Sequence, residues 1–93
     1  MKKIHEKIGA IVRGYRTEAG MTQLELSIRL GHNTPQFVSL FERGLSKVPY
    51  ETIGQLISIL GIPEKIILEA LVKSYEHDVK SRINQGKKAV SES

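Results

Sequence analysis

Gly20, Gly31, Gly44 and Gly61 each follow a stretch whose apolar residues recur every three or four positions. That spacing places apolar side chains on one face of a helix, and glycine is the residue that most readily ends one. Ile4, Ile8, Ile11, Val12 and Tyr15 form one such stripe, which predicts a first helix over about residues 4–18. Leu26 and Leu30 face inward from a second helix stopped by Gly31, and Val38 and Phe41 from a third stopped by Gly44. Ile53, Leu56, Ile57 and Leu60, at i, i+3, i+4 and i+7, mark a fourth helix that Gly61 ends, and Pro63 opens a fifth. No segment alternates with the period of a strand, so the expected fold class is all-α.

The helix starts are also written locally. Thr22-Gln23-Leu24-Glu25 is a capping box: the threonine hydroxyl reaches the amide of residue 25, and Glu25 reaches back to the amide of Thr22. Thr34-Pro35 predicts a third helix over about residues 35–43. Thr34 is its N-cap, and Pro35 stands at the first helical position, where an amide would go unpaired anyway. Residues 46–49 form a loop. From Asn84 to Ser93 the chain is polar and is expected to be a flexible tail, leaving one domain over residues 1–83.

With 93 residues there is one core and no internal repeat. The chain has no cysteine, which excludes disulfides and thiolate chemistry. No apolar run approaches the ~20 residues of a membrane span, and the N-terminus lacks the apolar stretch of a signal peptide, so the cytoplasm is the expected location. His5, His32 and His77 are too far apart for metal-ligand spacing, and no acid, base and nucleophile fall into a motif. Neither a metal, a cofactor nor an enzymatic activity is expected. Charge is more telling. Residues 1–47 carry eight Lys/Arg against four Asp/Glu, whereas residues 48–93 carry six of each. The whole net charge of +4 therefore lies in the first half, which points to a polyanionic partner there.

Two short helices joined at Gly31-His32-Asn33 form a helix-turn-helix candidate. The residues Gly20-Met21-Thr22-Gln23-Leu24-Glu25-Leu26-Ser27, then Leu30-Gly31, then Phe41-Glu42-Arg43-Gly44 resemble the Cro/cI-type (XRE) helix-turn-helix family, and Pro49…Leu60-Gly61-Ile62 is similar to its fourth-helix segment. The resemblance covers about residues 5–72. It implies a compact five-helix, lambda-repressor-like DNA-binding domain whose helix-turn-helix is formed by helices 2 and 3. It also implies a bacterial or phage transcriptional regulator. The chain departs from the family pattern in four places. His32-Asn33 supplies one extra residue in the turn. Ser27 stands where alanine is usual. Phe37 and Leu40 occupy positions of the reading helix that are more often polar. Leu24 and Ile28 lie on a usually polar face of helix 2.

On helix 3, Val38 and Phe41 must face the core, so Gln36, Ser39 and Leu40 face outward with Phe37 at the margin. A helix in the major groove reads with its N-terminal residues. Gln36 is the first candidate for base reading, because its amide pairs with adenine N6 and N7. Ser39 donates or accepts, and Phe37 or Leu40 packs on a thymine methyl. For Phe37, partial core packing is the competing role. The expected phosphate contacts are Thr22, Gln23, Thr34, Arg43 and Lys47, with Gln23 at a helix N-terminus suited to a phosphate oxygen. The resemblance further implies that a helix-1 arginine, Arg16, pairs with Glu42, a structural bond that withdraws Arg16 from DNA.

The fifth helix shows Ile66, Ile67, Ala70 and Leu71 to the core, then a second stripe of Leu68, Val72, Tyr75, Val79 and Ile83. Spacings of three and four in that stripe approach a coiled-coil seam, and Leu68, Val72, Tyr75 and Val79 are the expected homodimer interface. The sequence-level expectation is a homodimeric repressor on a palindromic double-stranded DNA operator. The alternative is a protein-interaction module, an antitoxin or adaptor, that uses Leu24, Ile28, Phe37 and Leu40 as an apolar surface.

Overall fold

The computed structural model describes residues 2–92. Five helices follow one another: α1 (Lys2–Glu18), α2 (Gln23–Arg29), α3 (Gln36–Glu42), α4 (Tyr50–Leu60) and α5 (Glu64–Glu92). Among the described residues there is no strand, and no helix is long and apolar enough to cross a membrane.

Glycine sets the ends of the first four helices. After α2, the amide of Gly31 donates to the carbonyl of Ile28 (3.0 Å) and that of His32 to the carbonyl of Ser27 (2.9 Å). This pair is a Schellman motif, which requires the left-handed backbone that Gly31 adopts at φ +91°. The same pair of bonds recurs after α1, at Gly20 and Met21, and after α3, at Gly44 and Leu45. At the other end of α2 the capping box is complete: Glu25 N donates to Thr22 Oγ1 at 3.0 Å, and Thr22 N to Glu25 Oε1 at 3.3 Å.

α1 packs on α3, α4 and α5, and α2 packs on α3. Ile4, Ile8 and Val12 from α1 meet Leu26, Val38, Phe41, Ile53, Leu56, Ile62 and Ile67 in one core. Leu26, Val38 and Phe41 have no solvent exposure at all, so the two helices of the motif are anchored by side chains worth about 1.5–3 kcal/mol each in burial. The close fit of α1 against α3 depends on Gly9. A Cβ there would overlap the carbonyl oxygen of Phe41 and sit 2.7 Å from that of Glu42. Gly44 repeats the device, since a Cβ on it would lie 2.8 Å from the Cα of Glu6.

Two local expectations need correcting. Thr34 does not cap α3. Its hydroxyl makes no hydrogen bond among the described residues, and Pro35, with helical dihedrals (φ −76°, ψ −7°), supplies the first acceptor carbonyl, to Ser39 N at 2.9 Å. The turn brings the chain into the helix through proline's fixed φ rather than through a side-chain cap. The polar segment from Asn84 onward is helical through Glu92. No proline follows Pro63, and ion pairs one turn apart (Lys80–Glu76, Arg82–Asp78, Lys88–Glu92) line the helix. Met1 and Ser93, the ends of the expected domain and tail, lie outside the described residues. The 29 residues of α5 span roughly 43 Å at a rise of 1.5 Å per residue. They draw the molecule out to 56 × 24 × 20 Å.

Candidate nucleic-acid interface

The outer face of α3 is built from beneath. Arg16, in the last turn of α1, donates from Nε to Oε2 of Glu42 (2.6 Å) and from Nη2 to Oε1 (3.0 Å). A third donor, Nη1, reaches the carbonyl of Met21 at 2.8 Å. The side chains of Arg16 and Glu42 are only 11% and 2% exposed, so the pair sits in a low-dielectric environment where fork-to-fork geometry counts. The hydrogen bond to Glu42 raises the Arg16 pKa above its ordinary value, against the opposing effect of burial, and the charge of Glu42 adds to the rise. Arg16 is thus neutralised internally, in the structural role that the resemblance implied.

Gln23 joins this network. Its Nε2 donates to Glu42 Oε1 at 3.1 Å, so one side chain ties the first turn of α2 to the last turn of α3. Sequence spacing did not reveal this, because the partners lie 19 residues apart. Thr22 remains exposed, but its hydroxyl oxygen is already the acceptor in the capping box.

Among the base-reading candidates, Gln36 is exposed and Ser39 half-buried, and neither side chain has a hydrogen-bond partner among the described residues. Leu40 is half-buried. Phe37 is also half-buried, its ring stacked on His32 (centroids 4.2 Å apart, planes at 20°) and edge-on to Phe41 (5.4 Å, 86°). Core packing and outward presentation are therefore combined in Phe37. Thr34 is exposed at the head of α3. Arg43 is exposed at its foot, with Nε donating to the carbonyl of Ser39 at 3.3 Å. Lys47, also exposed, holds its ammonium 5.7 Å from the centroid of Tyr50, at the start of α4. No cluster of His, Asp or Glu suited to a metal ion occurs among the described residues.

A capped helix, a glycine turn and a short helix with free polar side chains, held on a buried ion pair, define a helix-turn-helix DNA-binding domain. The helix-turn-helix family model HTH_3 matches residues 12–67, from the middle of α1 to the first turn of α5. The chain belongs to this family, the XRE-type helix-turn-helix regulators, and binds double-stranded DNA. The family is a regulatory one and not catalytic. No curated protein and no solved structure shows a significant match to the chain. Nearly all of α5 lies beyond the matched segment.

Proposed function

We propose that the protein is a cytoplasmic transcriptional repressor that binds a palindromic operator as a homodimer, with α3 in the major groove. The observation that carries this reading is the outward face of α3. Gln36, Ser39, Leu40 and Arg43 share it at helical spacing, while Val38 and Phe41 are wholly buried on the other side. In that orientation Gln36, Ser39, Leu40 and the edge of Phe37 face base edges. Thr22, Gln23, Thr34, Arg43 and Lys47 flank them toward the backbone. A dimer bound over a promoter blocks polymerase by occupancy alone.

Dimerisation is supported by α5. Leu68, Val72 and Tyr75 are 49%, 59% and 72% exposed, and Val79 is half-buried. Beside them lie two apolar grooves that share Tyr50, Ile53 and Leu71, and the first has a volume of about 270 Å³. The helix continues the stripe past residue 83, bringing Val90 two turns beyond Ile83. Residues 1–83 are the reading unit, and residues 84–92 lengthen the seam.

Selection of duplexes from a random pool by the purified protein tests the proposal. The expected product is a palindrome with half-sites about 10 base pairs apart. Failure to enrich any sequence at low salt would reject it. Exposure of Leu24 (42%) and Ile28 (58%) on α2 favours a second reading, a protein-interaction module. A salt titration separates the two: phosphate binding weakens steeply as salt rises, and apolar association does not.

A further inference from the structure

The turn between α2 and α3 holds one residue more than the pattern it resembles, and the amides of Asn33 and Thr34 donate to no other residue among the described ones. Pro35 fixes one dihedral at the entry to α3, but Asn33 and Thr34 before it carry no backbone bond that sets the direction in which the helix leaves the turn. Yet α3 must present its first turn in one orientation to read DNA. His32 supplies the missing restraint. Its backbone is fixed to α2 by the 2.9 Å bond from its amide to the carbonyl of Ser27. Its imidazole lies flat on Phe37, the second residue of α3. Phe37 in turn meets Phe41, a core residue with no exposure, edge to face. Three rings thus run from the exposed turn along α3 into the core.

We propose that His32 is a positioning residue for DNA reading, whose stacking on Phe37 sets the orientation of the first turn of α3 and so the base preference at Gln36 and Phe37. The inference rests on the proposed groove-reading role of α3 and deepens it. Stacking is the operative property, because the His32 ring stacks on Phe37 and its nitrogens have no hydrogen-bond partner among the described residues. An aromatic pair of this kind biases a local equilibrium by roughly three- to tenfold.

The test compares the wild type with His32→Ala and His32→Phe. His32 is exposed, so both variants are expected to fold, and thermal melts verify it. In the free protein, His32→Ala should move the ring-proton resonances of Phe37, while His32→Phe keeps a ring over it. On selected DNA, His32→Ala should bind roughly three- to tenfold more weakly and flatten the preference at the bases beneath the first turn of α3. Its affinity for random duplex and its salt slope should stay at wild-type values. His32→Phe should keep the wild-type preference.

The proposal is overturned if His32→Ala selects the wild-type sequence, or if Phe37 resonances are unmoved in that variant. It is equally overturned if His32→Phe fails as His32→Ala does, which would make the imidazole a direct contact. A folded wild type that enriches no duplex would instead reject the regulator reading itself. That outcome appears in the unmodified protein and is not confused with a loss confined to His32→Ala.

Discussion

Arg16 and Glu42 meet as a fork on a fork, with bonds of 2.6 and 3.0 Å joining the last turn of α1 to the last turn of α3. Removing one partner strands the other charge in a nearly closed site. Arg16→Ala should cost about 3 kcal/mol, near the lower end for breaking a buried pair, and Arg16→Lys should recover part of it through a single donor. Because the Arg16 pKa is raised, its contribution is fully present below the unfolded-state value and fades only as pH rises through the folded one. The stability difference between wild type and Arg16→Ala should therefore hold constant from about pH 7 to about pH 10. Urea denaturation at several pH values measures both effects, and a difference that shrinks by pH 10 contradicts the assignment.

Two glycines of α1 should respond in opposite directions. Gly9→Ala drives a methyl into the backbone of α3 and should destabilise by about 2 kcal/mol or more. Gly14 has nothing within 4 Å of its would-be Cβ. Gly14→Ala should stabilise by about 0.5–1 kcal/mol through helix propensity. Equal effects in thermal melts would mean that α1 does not press on α3 at Gly9.

Ser27 is wholly buried, and its hydroxyl has no hydrogen-bond partner among the described residues. A hydroxyl left unpaired in a core costs about 1–3 kcal/mol. Ser27→Ala, which restores the residue usual in the family, should raise stability by about 1 kcal/mol. A lower melting temperature in this variant would show that the hydroxyl finds a partner in solution.

Gln36→Ala should weaken binding to the best site by about 1–3 kcal/mol and relax preference at one base pair. Arg43→Ala and Lys47→Ala should instead weaken specific and random duplexes alike, each lowering the salt slope by about one unit. Titrations at several salt concentrations distinguish the two patterns. Uniform weakening by Gln36→Ala removes it from base reading.

Val72→Glu places a charge on an exposed position of α5, 59% accessible in the single chain, so the fold should tolerate it. In a dimer seam it brings two like charges together, and sedimentation should show dissociation without a change in melting cooperativity. A wild type that stays monomeric at micromolar concentration, both free and on its DNA site, would return α5 to the core alone.

What could be read in the sequence was chiefly local. Thr22 and Glu25 announce their capping box because partners three residues apart on a helix start have only one geometry available. Gly31 and Gly44 end helices for an equally local reason. The Arg16–Glu42 pair required the family resemblance, since no spacing rule links residues 26 apart. The bond from the Gln23 amide to Glu42 was not legible, because only the packed fold creates that partnership; it uses one N–H of the amide and leaves the other for the expected phosphate contact. Gly9 and Gly14 look alike in the sequence of α1, and only packing separates them: the backbone of α3 closes on the first and nothing approaches the second. The helix over residues 84–92 was obscured by its polarity, although the absence of proline and the ion pairs one turn apart were visible in the chain.

The two ends of α5 live under different constraints. Ile67 and Ala70 are held by the core they fill, and a change there is felt by α1, on which α5 packs. Every side chain from residue 80 to residue 92 is exposed. Substitutions along that arm touch no core side chain, so they should leave the packing of the helix-turn-helix unchanged. If α5 forms the proposed dimer seam, changes along this arm would alter the choice of partner without reaching the core.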